Sequence, residues 1–421
     1  ENGYEIVSFE EKADIYIVNT CTVTNIADRK SRQMLHRARK RNPDAVVAAV
    51  GCYVETGREA LDKEDCIDLA VDNRHKKDIV AILEKYLEEH RKPDWESEGE
   101  AAENCCNEKA LREAKDGMLL RQPEGHTRAY IKIQDGCNQF CSYCIIPYAR
   151  GRICSRNPEE VIKEIKGVTE AGFKEVVLTG IHLSSYGKDF GTGEAPLLEL
   201  IERIHEIKGL KRLRLGSLEP RIINSRTAQR LAALPKVCPH FHLSLQSGCD
   251  TTLKRMNRHY TTGEYYESVE ALRESFGCPA VTTDVIVGFP GETEEEFQKT
   301  KEFLEKVQFY EMHIFKYSRR SKTVAASMPD QVPEQTKTAR SNELLTLEGR
   351  QSAKFRAHYI GKEAEVLLEE RRILDGCVCW IGHTKDYVKV AVEEEILSKE
   401  QQAPNTFLKV AVTDFLTQEI L

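Results

Sequence analysis

Three cysteines within eight residues constrain this chain more than any other feature. Cys137, Cys141 and Cys144 stand as C-x3-C-x2-C inside Gln134-Asp-Gly-Cys-Asn-Gln-Phe-Cys-Ser-Tyr-Cys-Ile-Ile-Pro-Tyr-Ala-Arg-Gly151. A tetrahedral zinc site draws four ligands, usually in two pairs, and no second C-x2-C or H-x3-H pair lies nearby. Three thiolates suit an iron–sulfur cubane that keeps one iron open to a substrate or cofactor. A zinc knuckle completed by a distant ligand, or three incidental thiols, are the other readings of the spacing. Gly136 and Gly151 bracket the loop, as backbone folded tightly round an inorganic cluster requires.

Composition narrows the setting. A chain of 421 residues has room for two or three domains, each with its own core. Its formal charge is −7, so any nucleic-acid contact must come from local patches. No apolar run approaches the roughly 20 residues of a membrane span. Fourteen cysteines fit a secreted disulfide protein only in a short, loop-rich chain. Here the key ones cluster like ligands, which points to a reducing cytoplasm. The chain opens at Glu1 without methionine or a signal-like segment and reads as trimmed.

From Asp14 to about Leu87, short apolar runs alternate with helical patterns. Strands are expected at Ile15–Val18, Ala45–Val50 and Ile67–Val71, with helices at Asn25–Lys40 and Lys76–Leu87. The pattern predicts a small α/β domain with a parallel sheet and ligands at the strands' carboxyl ends. Cys21 and Cys52 follow the first two strands there, either converging on one site or simply buried as small apolar residues. The stretch from Asp28 to Arg41 carries seven Lys or Arg against one Asp. It is a solvated helix face or the strongest local candidate for phosphate contact. Residues 90–125, with Cys105 and Cys106, read as a polar linker.

The central region, 126–333, repeats strand–helix units. Strands are expected at Ala129–Ile133, Val176–Thr179, Arg212–Leu215, Phe241–Leu245, Val281–Val287 and Met312–Phe315. Helices are expected at Pro158–Ala171, Leu197–Ile207, Glu264–Glu274 and Thr293–Val307. This predicts a partial, six-stranded (β/α) barrel with chemistry at the strands' carboxyl ends, where the cysteine loop sits. Three turns at that face, Leu178-Thr-Gly-Ile-His182, Leu215-Gly-Ser-Leu-Glu-Pro220 and Leu245-Gln-Ser-Gly248, are ordinary βα turns or parts of a site. The cation-rich Tyr317–Ala326 loop is likewise a solvated loop or a contact. One long helix, Glu334–Tyr359, leads to a β-rich module at 361–421, expected as a five-stranded antiparallel barrel. That module carries seven Lys and Arg against twelve Asp and Glu. An RNA face on it would be a minority patch such as Lys385, Lys389 and Lys409.

The cysteine loop resembles the cluster loop of the radical S-adenosylmethionine (SAM) enzymes. Its Ile145-Ile-Pro-Tyr-Ala-Arg-Gly151 continuation is similar to that of the methylthiotransferases, and the resemblance runs from Asp14 to the end of the chain. It implies a small amino-terminal α/β domain (1–89) carrying an auxiliary 4Fe-4S cluster, a radical SAM domain (126–333), a connecting helix (334–360) and a TRAM-like RNA-binding β-barrel (361–421). Cys137, Cys141 and Cys144 would hold the cluster that binds SAM. Cys21 and Cys52 would hold the second, auxiliary 4Fe-4S cluster, with its third cysteine expected just upstream of Glu1 in a Gly-Cys-x-x-Asn motif. Thr179, Gly180, Glu219, Gln246, Ser247 and Gly288 would face S-adenosylmethionine. Gly180-Ile-His-Leu-Ser-Ser-Tyr-Gly187 is most similar to the subfamily acting on threonylcarbamoyladenosine. Implied partners are tRNA, at its anticodon stem-loop, and a reductant such as flavodoxin or ferredoxin, with no membrane and a monomeric state. Isopentenyladenosine in tRNA or a ribosomal-protein aspartate are the alternative substrates. A non-catalytic iron–sulfur or zinc RNA-binding module, or a radical SAM enzyme without sulfur insertion, would be a different class.

Overall fold

Short β-branched runs separated by amphipathic helices build parallel sheet twice in this protein, and an antiparallel sheet once. A computed structural model describes residues 3–421 apart from 23, 58–60, 62, 63, 74, 91–126, 192, 194, 375 and 418. The expected linker, except His90, and its Cys105 and Cys106 therefore lie outside the described residues. Two compact units emerge. One holds the described residues up to 90 together with 143–151 and 318–326; the other holds 127–142, 152–317 and 327–421.

In the first unit the order is β1 (Ile15–Thr20), α1 (Asn25–Arg41), β2 (Val46–Gly51), α2 (Cys52–Thr56), β3 (Leu69–Val71) and α3 (Ile79–Glu89). The strands form one parallel sheet, β1-β2-β3, in which Thr20 pairs with Gly51. Tyr16, Val18, Leu35, Ala38, Val47 and Ala49 fill its core. Thr24 caps α1, its hydroxyl accepting from Ala27 N at 3.1 Å.

The second unit opens with β4 (Arg128–Asp135), α4 (Ile146–Arg150, assigned to the first unit), β5 (Cys154–Ser155), α5 (Pro158–Glu170) and β6 (Glu175–Gly180). It continues through α6 (Pro196–His205), β7 (Arg212–Leu215), α7 (Ser225–Ala232), β8 (His240–His242), α8 (Asp250–Arg255), α9 (Thr262–Phe276), β9 (Ala280–Val287), α10 (Glu294–Val307) and β10 (Glu311–Lys316). Parallel pairing runs β4-β6-β7 and β8-β9-β10, and the bridges Leu213–Val237 and Leu218–Leu243 join the two sheets. The result is a six-stranded open barrel bounded by β10 and by β4, which carries the two-residue β5 antiparallel on the outer side of its carboxyl end. Alternate residues on each strand pack under the helices: Ile131, Leu178, Leu213, Phe241, Val285 and Met312 belong to one core. The intervening residues face the lumen. The α9 and α10 helices start with capping boxes at Thr261/Glu264 and Thr293/Glu296.

After α11 (Val324–Ser327), the long α12 (Glu334–Ala357) buries Leu344 and Leu347 and leaves Leu345 half exposed. The carboxy-terminal sheet follows: β11 (Glu363–Leu374), β12 (Cys377–His383), β13 (Lys389–Glu393) and β14 (Phe407–Ala411), ordered β13-β12-β11-β14. Four strands stand among the described residues where five were expected. The reason is β11, which pairs with β14 over Glu363–Leu367 and with β12 over Leu367–Leu374. A bulge between Leu368 and Glu370 lets one strand turn between two partners.

This sheet closes the amino end of the barrel through charge. Arg128 Nε and Arg214 Nε donate to Glu175 Oε1 at 2.6 and 3.0 Å. Arg128 also forks onto Glu369 of β11. Arg212 donates to the His383 and Glu365 carbonyls at 2.9 and 2.7 Å. Tyr387 lies against both guanidiniums, 4.9 Å from Arg128 and 4.6 Å from Arg214. Burial opposes charge on Glu175, but Arg214 and Arg128 hold its carboxyl below the usual range. Acids of the carboxy-terminal module thus turn inward, which accounts for part of its negative balance. Lys385, from the suggested RNA patch, is also turned inward and donates to the Pro235 carbonyl at 2.8 Å.

Candidate cluster and cofactor site

The cysteine loop leaves β4 through a lock made by Gln134. Its side-chain nitrogen donates to the Asp135 and Gly136 carbonyls at 2.7 and 2.8 Å, while its oxygen accepts from His182 N at 2.8 Å. Gly180 lets this happen, since a Cβ there would stand 3.0 Å from Gln134 Oε1. The loop's other side is clamped by the turn after α8. Asn257 Nδ2 donates to Phe140 O at 2.9 Å, and Ser142 bonds Met256 O and Arg255 O at 3.0 and 2.8 Å. Phe140 adopts a φ of 50°, a left-handed conformation that a non-glycine residue keeps only when its surroundings impose it. Gly136 and Gly151 have φ of 69° and 76°.

Two donors already point at loop sulfurs. Gln139 N donates to Cys137 Sγ at 3.4 Å and Arg258 Nη1 to Cys141 Sγ at 3.3 Å. Burial pushes the Cys137 thiol up, so this environment favours a neutral thiol unless a metal takes the proton's place. A donor set of this kind fits an iron–sulfur cluster, whose ligating sulfurs accept hydrogen bonds from backbone and side chains. All twelve described cysteines are free.

Glu219 sits just after β7 and is the most elaborately held acid of this face. It meets His182 Nε2 at 3.4 Å, Arg221 at 2.6 Å and Gln139 of the cysteine loop at 3.3 Å. Burial raises its pKa, but His182 and Arg221 outweigh that and hold the carboxyl at about 2. Thr179, the penultimate residue of β6, is half-buried. Gln246 has φ 72° and bridges to β9, its N donating to Asp284 O at 2.8 Å. Ser247 is turned away from this face: fully buried, its hydroxyl lies 3.2 Å from Thr300 of α10. Gly288 has φ 69°, and a Cβ there would overlap Lys337 of α12. The packing of that helix therefore already requires glycine at 288.

In the first unit, Cys21 and Cys52 directly follow the register-paired Thr20 and Gly51. Adjacent parallel strands lie about 4.8 Å apart, so the two cysteines leave the same edge of the sheet side by side. Cys52 Sγ accepts from Arg150 Nε at 3.0 Å and from Asn73 at 3.6 Å. Cys21 is exposed. In the Tyr317–Ala326 loop, Arg320 is buried and bonded to Asp28 and Thr22, while Lys322 reaches the Thr56 carbonyl at 3.3 Å. On α1, Arg37 and Arg41 pair with Glu10 and Arg39 with Asp68, whereas Arg29, Lys30 and Arg32 stay exposed. Spacing alone did not single out Gln134, His182, Asn257 or Arg258. The Asn-Arg pair in Met256-Asn-Arg258 carried no local signal, because its partner loop lies more than 110 residues away.

Residues 131–304 match the Radical SAM superfamily, and residues 1–72 match a family described as uncharacterized protein family UPF0004. The threonylcarbamoyladenosine tRNA methylthiotransferase MtaB of Bacillus subtilis is 38% identical over 95% of this chain and 87% of its own length. The protein of the same name from Aquifex aeolicus is 41% identical over 89% of this chain and 88% of its own. A tRNA-2-methylthio-N(6)-dimethylallyladenosine synthase of Carboxydothermus hydrogenoformans is 35% identical over 87% and 82%. Among solved structures, the radical SAM methyltransferase TsrM of Kitasatospora setae, with cobalamin and a 4Fe-4S cluster bound, shares the fold. Its TM-score is 0.53 at 17% identity, covering 73% of this chain and 62% of that one. Among the described residues no helix is long and apolar enough to cross a membrane.

Proposed function

The chain belongs to the radical SAM tRNA methylthiotransferases, and from that membership we propose that it adds a methylthio group to C2 of N6-threonylcarbamoyladenosine at position 37 of tRNA. The observation that carries the reading is the cysteine loop, locked by Gln134 and clamped by Asn257, with hydrogen-bond donors aimed at two of its sulfurs. The two relatives named for threonylcarbamoyladenosine support the substrate. Cys137, Cys141 and Cys144 are the residues that would hold the 4Fe-4S cluster, and Cys21 and Cys52 would contribute to the auxiliary one. When bound, the open-iron cluster and SAM together supply a radical able to take hydrogen from an unreactive aromatic carbon, which acid–base side chains cannot do.

The protein's own residues do the positioning. Glu219, kept ionised by His182 and Arg221, offers a fixed negative charge at the barrel's carboxyl face, suited to an ammonium group of SAM. Thr179 and Gly180 at the end of β6 and Gln246 after β8 would offer SAM backbone and amide groups. Gly288 packs against Lys337 of α12, and Ser247 lies behind this face against Thr300. Arg29, Lys30 and Arg32 on α1 supply the phosphate-contacting patch, and the carboxy-terminal sheet is a TRAM-like module that contributes Lys389 and Lys409. A flavodoxin- or ferredoxin-type reductant, the anticodon stem-loop as the recognised part of tRNA, a monomeric state and a cytoplasmic setting complete the reading.

The test is anaerobic reconstitution followed by reaction with an anticodon stem-loop carrying threonylcarbamoyladenosine. The expected products are 5′-deoxyadenosine and a methylthiolated nucleoside, read by mass spectrometry. Methylthiolation of isopentenyladenosine RNA alone would overturn the substrate assignment in favour of the activity named for the Carboxydothermus relative.

A further inference from the structure

We propose that His242, Asp284 and His313 form a polar subsite in the barrel lumen that reads the N6 substituent of the target nucleoside, with His313 as its specificity-determining residue. The inference rests on the threonylcarbamoyl substrate reading above and assigns that chemistry to named groups.

The three residues come from three adjacent parallel strands. His313 pairs in register with Asp284, and His242 with Thr282. Their flanking residues Phe241, Val285 and Met312 face the helices, so these three side chains face the lumen. One ligand-type atom of each lies within 4.8 Å of the others. His242 and Asp284 are pinned. His242 Nδ1 lies 3.0 Å from the buried Thr282 hydroxyl, and Nε2 lies 3.3 Å from Asp284 Oδ2. The ring of His313 stacks on His242 at 5.9 Å with 25° between planes. It is exposed, and among the described residues its ring nitrogens make no hydrogen bond. His313 sits on the edge strand β10, beside the open side of the barrel. Phe315, on the same face of β10, is 50% exposed. Exposed aromatic rings at an opening are stacking surfaces for an unpaired base.

The chemistry of the triad matches one kind of N6 substituent. A threonylcarbamoyl group presents urea N–H donors, a hydroxyl and a carboxylate. Asp284 can accept from the first two, and an imidazole N–H of His313 can donate to the third. An isopentenyl group offers none of these and would leave the His313 imidazole and the second oxygen of Asp284 desolvated without partners. Sites built to hydrogen-bond a substrate reject analogues that lack the matching groups far more strongly than apolar pockets reject polar ones.

The experiment measures binding of wild-type protein, His313→Phe, His313→Gln and Asp284→Asn to two anticodon stem-loops. One carries threonylcarbamoyladenosine and the other adenosine at the same position. Backbone contacts are common to both RNAs and cancel in the ratio of dissociation constants. The expected result is a wild-type ratio that falls about tenfold or more in His313→Phe and Asp284→Asn and is largely retained in His313→Gln, which keeps a donor. Iron content and thermal midpoint identify any variant that misfolds, and Asp284→Asn, nearly isosteric, keeps the test open if His313→Phe does so. A wild-type ratio well above one that neither substitution changes overturns the subsite. Stoichiometric zinc or manganese in reconstituted wild-type protein, lost in His313→Phe, overturns it in favour of a cation site. Turnover of isopentenyladenosine RNA and none of threonylcarbamoyladenosine RNA instead overturns the substrate reading itself.

Discussion

Arg258 Nη1 donates to Cys141 Sγ at 3.3 Å, although the two residues stand 117 positions apart in the chain. The same turn supplies Asn257 to the loop carbonyls, so one segment fixes both the shape of the cysteine loop and the polarity around one of its sulfurs. Hydrogen bonds to ligating sulfur are a main lever on cluster potential.

Arg258→Met should therefore leave the loop folded while removing a charge-assisted donor. Such a bond contributes about 1.5–3 kcal/mol, so SAM cleavage under a fixed reductant should slow roughly tenfold or more. A redox titration should place the cluster at a lower potential. An unaltered potential and rate would mean that Arg258 does not tune the cluster.

Cys137→Ala, Cys141→Ala and Cys144→Ala should each cost about four irons per chain after reconstitution, the content of one cubane. Cys21→Ala and Cys52→Ala should leave those four in place. Iron and sulfide analysis separates the two sets, and loss of all iron in every variant would show that the sites are not independent.

Glu175→Gln removes the acid shared by three buried arginines. Breaking a buried pair from one side costs about 3–5 kcal/mol, because the remaining charge stays desolvated. Thermal unfolding should show a clear fall in midpoint. If Glu175→Gln unfolds with wild-type stability, the arginines must be satisfied by Glu365, Glu369 and the carbonyls of the carboxy-terminal sheet alone.

Gly288→Ala meets two obstacles, a left-handed φ and the Lys337 side chain. The strain should cost about 1–3 kcal/mol. Adding Lys337→Ala should recover the steric part and leave the backbone part, which equilibrium unfolding of the single and double variants can resolve.

Acid should loosen the protein in a defined window. Glu219 and Glu369 are each held at about 2 when folded, below their ordinary value of 4.5. Burial disfavours their charge, and His182 with Arg221, and His383 with Arg128, reverse that. Their stabilising contribution is complete above about pH 4.5 and disappears as pH falls towards 2. Unfolding midpoints measured across that range should fall faster for wild type than for Glu369→Gln.

Much of the barrel was legible because its strands alternate apolar and polar residues and its helices carry caps, as at Thr293. The cysteine loop was legible because its three thiols are close in sequence. The clamp was not, since Asn257 and Arg258 look like any polar turn until the loop they bind is beside them. Nor was the barrel floor: the strand at Arg212–Leu215 was legible, but the burial of Arg212 and Arg214 was not, because arginine is rarely buried without a partner and several of their partners lie in the carboxy-terminal sheet. The missing fifth strand has a similar cause. A bulge at Glu369 depends on which strands flank it, and no local pattern announces that.

The bulge in β11 places Glu369 where it can reach both Arg128 and His383. The carboxy-terminal module is thereby keyed to this barrel and is not an interchangeable attachment. Grafting the equivalent module of a distant relative would demand a matching acid at the bend, or the chimaera would carry stranded guanidiniums at its base. Substitutions at Arg128, Glu175 and Glu369 should accordingly be inherited together, as a three-part lock that changes only when all of its pieces change.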